Sequence, residues 1–507
     1  MKKTLLLLTI LVCFAEMAHI AAQTVTNASV ESEYPTEYGK NVRICVNPTD
    51  GATVIYYRDT VLDTNCFIYH KQGATSDNKF VWPPIPEGTG SATCTVEDMK
   101  IIGDTLYFCG TADYPDGNVR KQKGYLGWVR TSQLKSPSGG VNFQYYSDFV
   151  NPGPPKKKIV GLSHLDGYFD KTDNMVKIGL VGKYEYTATD TTSCLLLVKG
   201  NSSGWLYQFH YLIDPKETFT DIVFIEDKWL VVPSRFEHEY MDHYRFGIRY
   251  ESVGTAFIIP PAYLPQFQTV QKFNTRNMTT LSSTSPYPTW HRRDVDIHIV
   301  DDPTCTAYAI VAYECEDTAM QCENPQQTAL FKLDFNTPSY PNLAIDAAQL
   351  VHGYFRAPRT FVGIKNVLDS PAMVLLHRGL GDDGEMASTL LFPTWTHYGQ
   401  IDGLLADYRS NTSLDVHKNR YIRLGGTSLA GNNDILHYHL DRQHISSSCY
   451  STRPTFFSEE LYNDYILENL IAPPQWIYKC IFVWHSYIMT STSITNNNSC
   501  ETNHPLE

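Results

Sequence analysis

The chain has 507 residues, 19 % charged and 42 % hydrophobic, a balance that excludes a wholly disordered polypeptide. Its formal net charge of −13 argues against nucleic acid or an anionic membrane as the main partner, because neutralising phosphate needs an excess of Lys and Arg. Aromatic residues reach 13 %, led by 33 Tyr, which favours strands over helices.

The chain opens with Lys2 and Lys3, followed by the apolar run Leu5–Ala15, whose only polar member is Thr9. Such a run is too short to span a bilayer and has the length of a signal-peptide core. Residues 1–22 are therefore expected to be a leader, cleaved after Ala22. The mature protein is then secreted, periplasmic or at the cell surface. Cys13 raises the question of a lipid anchor, but Val12 stands where a lipobox needs Gly, Ala or Ser.

None of the 12 cysteines lies in a CxxC, so zinc-ribbon and thioredoxin-type motifs are absent. An oxidising compartment makes disulfides an expectation. The candidates are Cys315 with Cys322 around the loop EDTAMQ, Cys94 with Cys109 across neighbouring strands, and Cys45 with Cys66. Cys194, at the head of the apolar strand CLLLV, reads as a buried thiol.

Hydrophobic periodicity is close to 2 along most of the chain. One phrase recurs: an apolar strand with an acidic residue near it, a turn, a second strand, a polar loop and a third strand. It reads VEDMKIIGDTLYFCG…GYLGWV, then YFDKTDNMVKIGLVG…SCLLLVKG, then FTDIVFIEDKWLVVPS…YRFGIRY. It continues as DVDIHIVDDPTCTAYAIVAYE…TALFKLDF, FVGIKNVLDSPAMVLLHRG…ASTLLF and SLDVHKNRYIRLGGT…DILHYHLDR. NVRICVNPTDGATVIYYR, residues 41–58, alternates in the same way and could add another. Gly103-Asp104, Asp227-Lys228 and Asp301-Asp302-Pro303 sit where hairpin turns are needed.

One such sheet cannot bury both its faces alone, and radial stacking of several does so. The pattern resembles the β-propeller superfamily over roughly residues 41–450. The resemblance is architectural, without a WD dipeptide or a Kelch double glycine at a fixed place. It implies an all-β fold of six or seven blades. Two β-sandwich domains divided near residues 267–287 fit the same periodicity. The leader and overall style are similar to secreted proteins of gut-type Bacteroidetes.

Residues 451–507 fall outside the repeat. Ser458 as N-cap, Glu459 and Glu460 in the first turn, and the stripe Leu461, Tyr462, Tyr465 and Ile466 predict a short helix ending before Pro473-Pro474. Residues 476–489, WIYKCIFVWHSYIM, are broken by Lys479 and His485 and suit a strand pair or a buried strand better than a membrane span. From Ser491 the chain is polar and reads as a frayed tail.

Few motifs carry chemistry. His437, His439 and Asp441 would share one strand face, with Leu436, Tyr438 and Leu440 in the core. Three such ligands could hold a structural divalent cation, but a tetrahedral site rarely takes three ligands from one short strand, so a solvated outer face is the alternative. No other cofactor is expected. His238, Glu239 and His243 in HEYMDHY miss the HExxH spacing by one residue. Gly381-Asp382-Asp383-Gly384 partly matches a sialidase Asp box but lacks its Ser and Trp, and reads as a hairpin turn or a weak calcium loop.

Nucleophile elbow, P-loop and dinucleotide fingerprint are all missing. A glycosidase carboxylate pair needs only to meet in space, and the sequence cannot choose one. Trp128, Trp229, Trp290 and Trp395 could stack on sugars or pack between sheets. The expected function is non-catalytic binding of a glycan or an extracellular protein through loops on one face. The alternative is a glycoside hydrolase or lyase with paired carboxylates at a channel mouth.

Overall fold

The computed structural model describes residues 29–71 and, beyond them, the strands named below with their tight turns, up to residue 495. Side chains are described for most of residues 39–135, 158–200 and 218–234 and for a few positions elsewhere. Strands dominate, and the helix among the described residues is the five-residue Thr131–Lys135. No helix among them is long and apolar enough to cross a membrane.

The strands fall into units of four, each an antiparallel meander in chain order. The first unit uses the second half of Ser29–Val46, then Thr53–Asp59, Asn65–His70 and Ser76–Trp82. The second is Gly90–Ile102, Thr105–Asp116, Val119–Arg130 and Val141–Val150. The third is Ile159–Asp170, Met175–Glu185, Thr191–Asn201 and Gly204–Tyr211. The fourth begins with the short strands Glu217–Phe219 and Val223–Ile225, both on Trp229–Phe236, and adds Tyr244–Ser252 and Thr269–Thr275.

The fifth runs Trp290–Ile299, Thr306–Cys315, Gln326–Asp334 and Ala344–His352. The sixth runs Arg356–Val367, Ser370–Arg378, Glu385–Leu391 and Thr396–Leu404. The seventh has Ser413–His417, Tyr421–Thr427 and Asp434–Asp441, and its fourth strand is the first half of Ser29–Val46. Each repeated sequence phrase supplies the first three strands of one unit.

The C-terminal segment does something the sequence reading did not foresee. It runs back along the units in reverse order and adds an outer antiparallel strand to six of them. Thr452–Arg453 pairs with the sixth, Ser458–Leu461 with the fifth, Tyr465–Ile471 with the fourth and Trp476–Tyr478 with the third. The long strand Ile481–Thr495 then pairs first with Val141–Val150 of the second unit and next with Ser76–Trp82 of the first.

Two expectations are thereby corrected. The helix predicted from Ser458 is strand, because the open edge of a sheet supplies backbone partners that outweigh a good cap and a modest helical stripe. The polar residues from Ser491 are likewise paired with Phe80 and its neighbours, up to Thr495.

The core lies between units. In Thr53–Asp59, Val54 and Tyr56 point to the second unit, whereas Ile55 and Tyr57 point to the other side. The second unit in turn turns Leu106 and Phe108 to the first and Tyr107 and Cys109 to the third. The third turns Ile178 and Leu180 one way and Val181 the other, against Phe219, Ile222 and Phe224 of the fourth. All three of these units are therefore dry on both faces. The abundance of aromatics is spent here. Phe67, Trp82, Phe108 and Tyr125 interlock with ring centroids 5.3–6.5 Å apart, the offset and edge-on distances that aromatic rings prefer.

The same alternation decides the cysteines. Cys45, Cys66, Cys94, Cys109 and Cys194 are all buried thiols. Cys94 faces the first unit and Cys109 the third, so the expected Cys94–Cys109 bridge would have to pass through a sheet. Cys45 and Cys66 are separated in the same manner. Cys315 lies on a described strand, but Cys322 lies outside the described residues, as does that pairing.

Turns follow the expected chemistry. Gly103 at φ 64° and Asp227 at φ 57° occupy the left-handed positions of their hairpins. At the Asp170–Met175 turn, Asp170 accepts the Thr172 amide at 2.8 Å and hydrogen bonds from the Lys177 ammonium and Thr172 hydroxyl. Lys177, then Thr172, hold its carboxyl down at about 2, against an ordinary 3.8. A depressed carboxyl stabilises the fold above its unfolded value and loses that contribution as pH falls through the folded one. Asp170→Asn should therefore flatten the stability profile between pH 3.8 and about 2, measured by urea unfolding across that window.

Candidate functional site

The first strands of successive units begin at the same end of the molecule, and the second strands finish there. Thr93 pairs with Asp113, Thr95 with Thr111 and Gly161 with Lys183. This convergence builds a groove of about 610 Å³ across the ends of the first four units. The first unit gives Arg58 and Asp63, the second Glu97, Asp113 and Arg120, the third Ser163 and Lys183, and the fourth Thr218 and Phe219. Gly161 keeps the floor open, since a Cβ there would lie 2.8 Å from the Thr111 hydroxyl.

The groove is lined mainly by polar side chains, and each of its carboxylates is matched to an arginine. Arg58 reaches Asp63 through Nε at 2.9 Å and Nη2 at 2.6 Å. Arg120 Nε lies 3.0 Å from both oxygens of Asp113, and its Nη2 donates to Thr93 at 3.0 Å. Glu97 accepts from the Thr95 hydroxyl at 2.9 Å and faces Arg43 at 3.9 Å. An acid that must deliver a proton works best in apolar surroundings. Each of the three groove carboxylates instead faces a guanidinium.

Behind the groove, polar atoms on the first strands tie neighbouring units together at four joints among the described residues. Asp98 Oδ2 accepts the Leu165 amide at 2.9 Å, and Asp166 Oδ2 accepts that of Phe224 at 2.7 Å. Asp415 Oδ2 accepts the Val46 amide at 2.7 Å, and Cys45 Sγ accepts that of Ile101 at 3.1 Å. Burial pushes the Asp98 carboxyl above its usual range, against the pull of His164. Asp98 and Asp415 are acidic residues of the recurring phrase, and Asp166 lies two residues before its next copy. Their role is to satisfy a backbone N–H across the joint between two sheets.

A second polar cluster lies where Ser29–Val46 passes from the seventh unit to the first. Tyr34 donates to Asp77 Oδ2 at 2.7 Å, which lies 3.1 Å from His70 Nδ1. The His70 ring packs against His437 at a centroid distance of 4.7 Å. Nearby, the Lys79 ammonium and the Tyr57 hydroxyl both donate to Glu37 Oε2.

This cluster corrects the proposed outer face of His437, which is 0 % exposed. Its neighbour on the same face, Ile435, is equally buried, so that face of the strand is dry there. The side chains of His439 and Asp441 lie outside the described residues. No group of three His, Cys, Asp or Glu side chains among the described residues is placed to hold a metal.

His238, Glu239, His243 and the Gly381–Gly384 turn are also outside the described residues, as are Trp395 and the Trp290 side chain. Trp128 packs on the core between the second and third units and takes no part in the groove. Sequence reasoning missed Arg58, Arg120 and the groove threonines, which no local spacing connects. No protein-family model matches the chain, and no curated protein matches it.

Proposed function

We propose that the seven units close into a ring, a seven-bladed β-propeller, and that this secreted protein binds a glycan or an extracellular protein in the groove without catalysis. Closure is supported by the strand Ser29–Val46, which completes the seventh unit and opens the first. The first strands also touch in succession from Ser29–Val46 through Gly90–Ile102 and onwards to Ser413–His417, which returns to Ser29–Val46. Units buried on both faces suit radial stacking better than a two-layer sandwich, in which each sheet keeps one face wet.

The observation that carries the binding reading is the groove itself, a polar cleft at one end of four units with every carboxylate matched to an arginine. The glycosidase alternative requires two carboxyls in contrasting surroundings. A glycan array, a panel of secreted-protein ectodomains and a hydrolysis screen on the same sugars test the reading together. Binding is expected without turnover, and Arg120→Glu should weaken it by about tenfold or more without loss of folding. Turnover of any sugar, abolished by Glu97→Gln or Asp113→Asn, would overturn it.

A further inference from the structure

Among the described residues, four large hydrophobic side chains stand in solvent: Val61, Leu62, Val119 and Phe169. Three of them flank groove-lining residues along the chain. Val61 and Leu62 sit between its lining residues Arg58 and Asp63, and Val119 precedes Arg120. Isolated exposed aliphatics are ordinary, but an adjacent pair on a rigid tip beside a cleft is not.

The tip is rigid by construction. Asp59 Oδ1 accepts the amides of both Val61 and Leu62 at 2.8 Å. The Asp59 amide donates to the Thr64 carbonyl at 2.8 Å, and the Arg58–Asp63 pair closes the loop above it. The two side chains nevertheless remain 69 % and 64 % exposed. Pre-ordered apolar groups lose little entropy on binding, which is the property of an interface anchor.

The groove chemistry points to a polypeptide. A sugar ring would need an aromatic face, and the aromatic residue in the lining, Phe219, is only 7 % exposed. Thr111, Thr218 and Gln122 offer hydroxyl and amide groups that can pair with peptide N–H and C=O, whereas Thr93, Thr95 and Ser163 already donate within the fold. Arg58 and Arg120 are committed to Asp63 and Asp113, whereas the exposed Lys183 has no carboxylate partner among the described residues.

We propose that the groove and the Val61–Leu62 crest receive an extended segment of a protein partner, with an apolar side chain on the crest and a carboxylate at Lys183. This rests on the groove being the binding face. The test pans a random-peptide display library against the intact secreted protein and measures the enriched peptides as synthetic ligands. Enriched sequences should join an aliphatic or aromatic residue to Asp or Glu. Leu62→Asp and Lys183→Glu should each weaken binding by about tenfold with an unchanged melting temperature, since both side chains already lie in water. A Lys in place of the peptide carboxylate should restore binding to Lys183→Glu.

Peptide binding that Arg120→Glu weakens but Leu62→Asp leaves unchanged would overturn the crest while sparing the groove. A glycan ligand sensitive to Arg120→Glu alone would do the same. Peptides indifferent to all three changes would sink the groove reading as well.

Discussion

Deleting residues 452–495 should abolish recovery of soluble, folded monomer. Six units would lose their outer strand at once, leaving rows of unpaired backbone N–H and C=O that invite pairing with other chains. The loss also reaches the core. Met489 is fully buried among the residues between the first two units, and Ile494 packs beside Ile55 and Ile68 on the other face. Met489→Ala alone should cost about 2–5 kcal/mol, the usual range for a truncated core side chain. Size-exclusion chromatography of the deletion and urea unfolding of the point variant check the two levels separately. A soluble, cooperative deletion variant would mean the segment is ornamental.

Lys79→Met should be nearly as damaging. Lys79 and Glu37 are buried together, with side chains 10 % and 8 % exposed, and the ammonium also lies 5.8 Å from the Tyr57 ring centre. Removing one charge strands the other in a dry site, which typically costs about 3–5 kcal/mol. The double variant Glu37→Gln/Lys79→Met removes both charges and leaves an amide oxygen for the Tyr57 hydroxyl. It should recover most of the loss, because an uncharged pair carries a far smaller desolvation penalty than a lone buried charge. Equal stability of the single and double variants, read from urea midpoints, would show that the pair is not coupled.

Much of this arrangement was legible in the sequence because strand alternation is a local signal. The recurring phrases delimit the first three strands of six units, and residues 41–58 supply parts of the first two strands of the remaining one. Pairings that depend on distant chain were not legible. Ser458–Leu461 has the caps of a helix, and only the waiting edge of Ala344–His352 makes it a strand. His437 was misplaced for a related reason. Alternation assigns residues to two faces but cannot say that both are covered, and here His70 arrives from the opposite end of the chain.

The cysteines illustrate the same limit in reverse. Cys94 and Cys109 do lie on paired strands, but Cys94 stands opposite Ala112, three residues from Cys109, so alternation puts the two thiols on opposite faces. The groove unites residues from Arg58 to Phe219, so no spacing within the sequence announces it. Its acids behind the floor were visible as a recurring residue type. Their purpose, accepting an amide across each joint, required the packed sheets.

We propose that the N-terminal strand closes the ring by serving two units, and a cross-link checks this pairing. Glu33 lies opposite Leu436 in the antiparallel register, at a separation that a disulfide can span. Glu33→Cys/Leu436→Cys protein, folded under oxidising conditions, should show the 33–436 linkage in non-reduced peptide maps of the folded monomer, with a raised melting temperature. A folded monomer in which those two thiols stay reduced would contradict closure through that strand.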